Sequence, residues 1–318
     1  MTILVITEPH DATADLVISE LNQRGARVHR VDTADFPSAL AVAAPFGGHG
    51  QRPGTLTDLN RETRLDDITA VYYRRPGPFR FPTTLDPYER RWAAQEARIG
   101  FGGLLTALPA RWVNHPHAMA AADFKPRQLT VAADHGLTIP PTIITNRPEH
   151  ARKFVADAPT GAVYKPFHAR PYVDTDTQQV IALATTPVTA DQITDAVAGT
   201  AHLFQHQVPK DHELRITVVG GRLFAARIDA HSDAARIDWR TDYDNLTYRP
   251  VELPEAVAAQ VLAVTRTLGL VFAAVDLIVT PDGDHVFLEV NPGGQWAWIE
   301  AETALPIAAA IADHLEQS

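Results

Sequence analysis

The stretch "DLIVTPDGDHVFLEVNPGGQW", Asp276 to Trp296, decides how the rest of the chain is read. An apolar run precedes Pro281 and an alternating run follows Asp284, and Asp282-Gly283 between two such runs predicts a two-residue hairpin turn. With Pro281 opposite Asp284, counting outward sets Ile278 against Phe287, Asp276 against Glu289 and Ala274 against Asn291, all on one face. Val275, Leu277, Val279, Val286, Leu288 and Val290 then form a core on the other face. Two carboxylates directly opposite each other destabilise by up to about 1 kcal/mol, and no Lys or Arg stands nearby in the sequence to relieve them. A divalent cation would. Asp276, Glu289 and Asn291 are hard oxygen donors suited to magnesium, which keeps waters and substrate phosphates as its other ligands. The competing reading is a solvated hairpin face one residue out of register, because a single slip flips every side chain.

The chain of 318 residues is long enough for two or three domains. Its 45% hydrophobic and 21% charged residues are ordinary for a soluble globular protein. A net charge of −10 argues against nucleic acid as the main partner, since backbone binding needs a basic face, but leaves room for a local phosphate site. The opening "MTILVIT" lacks a basic leader and a cleavage pattern, so a cytoplasmic location is expected. No apolar stretch approaches the ~20 residues of a membrane helix, and no membrane partner is expected. Without Cys there is no thiolate nucleophile, thiolate metal site or disulfide.

"TILVIT", a helical pattern from Thr13 to about Gln23, Gly25 as a stop and "RVHRVD" make a βαβ start with a parallel sheet. The strand "AVYYRRP", a helical region from Pro87 to about Leu105 and "RWVN" complete an N-terminal α/β domain over residues 1–114. Residues 115–200 read as a small α+β domain. It has helices up to Gly136, an edge strand "IPPTIITN", a helix in "RPEHARKFVADAP" and strands "GAVYKPF" and "VIALATTPVT" around a polar loop from His168 to Gln179. A helix from Ala190 to Val197 ends it. Residues 201–318 hold the strand of "HLFQHQV", a hairpin around Gly220-Gly221, a helix from Pro254 to about Leu268, the Asp276 hairpin and a terminal helix.

No phosphate-loop, dinucleotide, nucleophile-elbow or H-E-x-x-H motif occurs. His115 and His117 stand at a loop-to-helix transition, where a cap is the ordinary role. Lys165 lies in the apolar strand "AVYKPF", where a charge needs an anionic partner, whereas Lys125 alone reads as a solvated helix position. Arg215, just inside "ELRITVV", could clamp a phosphate or carboxylate, or pair with Glu213 at the surface. Arg74 and Arg75 follow "AVYY" at what should be the carboxyl end of a parallel strand, where ligands gather. Alternation sends them to opposite faces, so at most one reaches an acidic substrate.

Lys125, the "YKP" of Lys165, "QHQV" followed by "ELRITVVGGRLFAA", and Asp276 with "LEVNPGG" occur in the order used by the ATP-grasp superfamily, a resemblance spanning Pro116 to Ala310. It implies an ATP-grasp fold, combining α/β and α+β parts, behind an N-terminal α/β (pre-ATP-grasp) domain. "VYYRRP", "ELRITVVG", "ARIDWR" and "NPGGQWAWIE" further resemble the graspetide (microviridin-type) synthetases, which form side-chain ester or amide links in ribosomal peptides. That resemblance implies ATP and Mg2+ as cofactors, with Lys125 and Lys165 contacting ATP and Gln205, His206 and Val208 at the adenine hinge. Asp276, Glu289 and Asn291 would hold the metal. Arg215 and Arg240 would face the phosphate and acyl phosphate, while Arg74 and Arg75 shape the acceptor side. The implied partner is a precursor peptide, leader and core, and a homodimer is compatible. "FHARPYV" after Lys165 has no glycine where many members close a Gly-rich lid. The rivals are a ligase joining amino acids or short peptides, and a nucleotide-binding protein that recognises a peptide without turnover.

Overall fold

The computed structural model describes residues 1–47, 54–167, 172–173, 180–181 and 184–317. The polar loop expected from His168 to Gln179, and with it most of "FHARPYV", falls largely outside the described residues.

The N-terminal unit is a parallel sheet in the order Val28–Val31, Thr2–Ile6, Ile68–Tyr73, Arg111–Val113. Every residue of Thr2–Ile6 is buried, as suits a central parallel strand covered on both faces. The crossover helix Ala12–Gln23 starts where the Asp11 carboxylate accepts from the Thr13 and Ala14 amides, and it buries Val17 and Leu21. The helix expected from Pro87 to Leu105 forms with a π-turn inside it: Pro87–Glu96, then Ala97–Phe101, then Gly102–Thr106.

Helices Pro116–Ala122 and Lys125–Asp134 lead to an antiparallel sheet ordered Thr186–Val188, Ala162–Lys165, His202–His206, Thr142–Thr145, covered by helix Pro148–Ala156. The helix expected over Ala190–Val197 is instead two 3-10 turns, Ala190–Gln192 and Asp195–Gly199. The Gln192 side chain bonds back to the Thr189 amide, and the Thr194 hydroxyl accepts from the Ala196 amide. Each therefore starts a fresh turn rather than continuing one helix.

The last unit is a five-stranded antiparallel sheet ordered Leu246–Pro250, Arg222–Ala230, His212–Val219, Phe272–Val279, His285–Asn291. Leu214, Ile216 and Val218 alternate with Glu213, Arg215 and Thr217. The apolar set packs with Val275 and Leu277 of the neighbouring strand and with Val261 and Val264 of helix Glu255–Thr267. The terminal helix Ile307–Glu316 packs its Ile307 and Ile311 into a core shared with Val5, Val17, Leu21 and Tyr72, so the first and last units share one hydrophobic interior. No described helix is long and apolar enough to cross a membrane.

The opening hairpin departs from its expected register in two places that cancel. Thr280, not Pro281, pairs with Asp284: Thr280 donates to the Asp284 carbonyl at 2.9 Å and Gly283 to the Thr280 carbonyl at 2.9 Å. The turn thus holds three residues, Pro281-Asp282-Gly283, with Pro281 at the position that favours its fixed φ and Gly283 at φ +90°. Ile278 consequently faces Val286, and Leu277 faces Phe287. A bulge at Leu288 then absorbs one residue and restores Asp276 opposite Glu289 and Ala274 opposite Asn291. Phe287, fully buried, takes the core place expected of Leu288. The bulge turns Leu288 toward the cavity described next.

Candidate active site

An open cavity of about 1180 Å³ lies between the central antiparallel sheet and the C-terminal sheet. Its polar wall begins with the strand faces that alternation directs away from the core: Glu213 on one strand and Asp276 with Ile278 on the next. Glu289, Leu288 and Asn291 come from the hairpin's second strand, Lys165 from Ala162–Lys165, and Lys125 from the first turn of its helix. Trp239 and Arg240 come from the short turn Trp239–Thr241.

The opposed carboxylates are relieved by cations distant in sequence, since the hairpin itself offers no Lys or Arg. Arg240 donates one nitrogen to Asp276 Oδ2 at 2.6 Å and to Glu289 Oε1 at 2.8 Å. Arg215 donates to Asp276 Oδ1 at 2.8 Å, and Lys125 to Glu289 Oε2 at 2.5 Å. Burial alone would raise the Glu289 pKa, but Lys125, Arg240 and Lys165 hold it well below the usual carboxylate range. Burial likewise works to lower the Arg240 pKa, and Asp276, Glu289 and Asp238 overcome it and raise it. Lys165 hydrogen-bonds to no carboxylate among the described residues, and burial drives its pKa down despite the attraction of Glu289. It is a half-buried side chain without a carboxylate partner among the described residues.

Several expectations are corrected by this geometry. Arg215 does not pair with Glu213, which is ion-paired with Lys210 inside the cavity. Lys125 is engaged with Glu289 rather than lying on a solvated helix face. Arg74 does not face the cavity. Buried at 5% exposure, it donates to the Gly293 carbonyl and the Gln295 side chain, while exposed Arg75 lines the cavity, the split that strand alternation requires. His115 caps its helix, accepting from the His117 amide.

At the end of strand His202–His206 and just beyond it, Gln205, His206 and Val208 all line the cavity. The Gln205 amide donates to Thr142 Oγ1 at 2.9 Å, and the His206 ring packs on Phe154, so these two side chains are committed to the protein. Asn291 accepts from the Gly293 amide at 3.1 Å.

A single Arg240 nitrogen within bonding distance of both carboxylates marks a point one cation can share. With the Asn291 amide on the same strand, Asp276 and Glu289 therefore fit a divalent ion. Among the described residues no three His, Asp or Glu side chains converge, so such an ion would need water or phosphate oxygens besides these residues. The basic set of Lys125, Lys165, Arg215 and Arg240 suits a polyphosphate beside it.

Sequence reasoning missed Trp239, Leu288, Lys210 and Arg236. Trp239 is 3% exposed, and its ring lies 4.8 Å from the Arg240 guanidinium carbon and 5.9 Å from that of Arg215. Its signal was the aromatic residue directly before Arg240 in "ARIDWR". Leu288 was hidden by the bulge. Arg236 lines the cavity and, like Arg75, bonds to no carboxylate among the described residues.

Two family descriptions match in tandem: an MvdD pre-ATP grasp domain over residues 2–120 and a RimK-like ATP-grasp domain over residues 122–315. The chain belongs to the RimK-like ATP-grasp family, and it is an ATP-grasp ligase. Among solved structures it is similar to the macrocyclase MdnC of Microcystis aeruginosa MRC, bound with precursor peptide MdnA, at 32% identity, TM-score 0.88 and 100% coverage of both chains. It is also similar to a Chryseobacterium gregarium RiPP-associated ATP-grasp ligase in complex with ADP and a leader and core peptide. That match has 29% identity and TM-score 0.90 over 99% of this chain and 96% of that one. A third is the macrocyclase MdnB of the same Microcystis strain, at 29% identity, TM-score 0.84 and coverage of 100% and 99%. No curated protein matches.

Proposed function

We propose that the protein uses ATP to join side chains within a ribosomally made precursor peptide, forming ester or amide crosslinks through an acyl phosphate. The observation that carries this reading is the likeness to MdnC across the whole chain, N-terminal unit included, since MdnC is bound to its precursor peptide.

In this reading a peptide carboxylate oxygen attacks the γ-phosphorus, its bond to the bridging oxygen of ATP breaks, and ADP leaves. A peptide hydroxyl or amine then attacks the acyl carbon, loses its proton and expels inorganic phosphate. No side-chain nucleophile is required, so the protein's part is positioning and charge neutralisation. Lys125 and Lys165 bind phosphate oxygens, and Arg215 and Arg240 face the transferring group. The Gln205 to Val208 segment borders the base. Asp276, Glu289 and Asn291 would hold magnesium, which supplies electrophilic neutralisation of the phosphate oxygens. Arg75 and Arg236, without acidic partners among the described residues, favour a peptide that carries further carboxylates. The reaction's need for ATP favours the cytoplasm as the place of the activity.

Incubation with ATP, magnesium and an acidic precursor peptide should yield a product lighter by one water per link. Consumption of free amino acids with every peptide keeping its mass would instead support a ligase of small molecules.

A further inference from the structure

The N-terminal domain reaches the carboxylate hairpin through a short chain of polar contacts. Arg74, at the end of Ile68–Tyr73, donates at 2.5 Å to the Gly293 carbonyl and at 2.5 Å to Gln295 Oε1. Thr13, on the first helix, donates to the same Gln295 oxygen at 2.7 Å. Asp11 lies 3.7 Å from Arg74 Nε and is itself held by Thr7 and by the helix amides it caps. On the far side of the loop, the Gln295 carbonyl accepts from Arg215 at 2.9 Å, and Arg215 in turn holds Asp276.

Between these anchors stands Gly294. A Cβ built there would lie 2.5 Å from Ala274 Cβ and 2.8 Å from Arg215 Nη2, so the loop backbone passes flush against the arginine. Asn291, whose amide oxygen accepts from the Gly293 amide, begins the same loop. The loop is thus fixed from both sides: by N-terminal residues at Gly293 and Gln295, and by Arg215 at the Gln295 backbone. Simple domain packing is already supplied by the shared apolar core and by Asn114, which bonds Phe272 and Pro292. The Arg74 contacts fall on the two residues flanking Gly294, beside the donor set.

We infer that Arg74 and Gln295 are positioning residues through which the N-terminal domain sets the geometry of Asp276 and Asn291 for the metal-bound nucleotide. The inference rests on the ATP-grasp site and is independent of which acceptor is joined. Partners behind metal ligands govern affinity by orienting them, and their loss costs 10- to 100-fold by order of magnitude.

Calorimetry of ADP binding, with excess magnesium and separately with EDTA, separates this role from general stability. Gln295→Leu removes the acceptor shared by Arg74 and Thr13, Gln295→Glu keeps it, and Arg74→Lys keeps the charge but loses the two-pronged grip. In magnesium, Gln295→Leu and Arg74→Lys should weaken ADP by roughly tenfold. In EDTA they should leave it unchanged, and Gln295→Glu should restore wild-type affinity. An equal loss in both conditions, or no loss in magnesium, overturns the inference. Should Arg74→Lys fail to fold, the Gln295 pair decides alone. Because no peptide is present, the outcome does not depend on the crosslinking reading.

Discussion

One nitrogen of Arg240 stands 2.6 Å from Asp276 and 2.8 Å from Glu289, so a single guanidinium bridges the two carboxylates that face each other across the hairpin. The like-charge contact is therefore stable in the free protein, and a bound divalent ion must share or take over that position. Asp276 and Glu289 differ in their other partners. Asp276 is also tied to Arg215, both side chains being almost fully buried, while Glu289 is also tied to the more exposed Lys125.

That asymmetry separates the two carboxylates in stability. Both Asp276→Asn and Glu289→Gln should lower ATP turnover at least about 100-fold. Without magnesium, Asp276→Asn leaves Arg215 with an uncompensated buried charge and should cost about 3 kcal/mol. Glu289→Gln should cost about 1 kcal/mol or less. Thermal melts in EDTA check this, and equal losses would show that Arg215 does not depend on Asp276.

Lys165 supplies a second test. Lys165→Met should weaken ATP about ten- to a hundredfold, as expected for loss of a charge-assisted contact. Because burial depresses the Lys165 pKa in the free protein and a polyphosphate raises it, ATP binding at alkaline pH should take up protons. The binding enthalpy would then vary with the ionisation enthalpy of the buffer. A buffer-independent enthalpy with unchanged affinity in the mutant would mean Lys165 does not meet the phosphates.

Trp239 packs against Trp298 and lies beside the guanidinium groups of Arg215 and Arg240. Removing its face by Trp239→Leu should lower kcat about tenfold, the scale of one partly buried cation–π contact, with ADP affinity retained. Trp239→Phe should recover most of the loss. If Phe and Leu behave alike, the aromatic face plays no part.

The pH dependence of stability should carry the mark of His29. Its imidazole bridges Thr63 and Asp58 in the N-terminal unit, and burial holds its pKa below the usual 6.5 in spite of Asp58. The unfolded chain therefore binds the proton more readily, and stability present above about pH 6.5 is lost as pH falls through that value. His285 and His314 are lowered by burial as well. Melting temperatures measured from about pH 7.5 to 5.5 should fall, with a shallower slope in His29→Asn. A flat profile in the wild type would contradict the assignment.

Much of this site could be read before any coordinates, because its metal-facing residues are spaced by a single hairpin. The Asp276–Glu289 and Ala274–Asn291 pairings came out as counted, although the route passed through a three-residue turn and a compensating bulge. Local spacing cannot foresee a bulge, so Leu288 was assigned to the core and Phe287 to the open face. What counting along one strand pair cannot supply is the partner from another element. Arg240, Lys125 and Arg215 reach the carboxylates from 36, 164 and 61 residues away. Alternation correctly divided Arg74 from Arg75, but which of the two turned inward depended on Gln295, 221 residues downstream.

Activation of a peptide carboxylate by phosphoryl transfer is tested most directly by the fate of that carboxylate's oxygen. A precursor peptide with heavy-oxygen-labelled Asp and Glu side chains, turned over with magnesium and ATP, should release one labelled oxygen into inorganic phosphate for each crosslink formed and each ADP produced. Crosslinked product accompanied by unlabelled phosphate would contradict an acyl phosphate intermediate and, with it, the role given to the Asp276–Glu289 site.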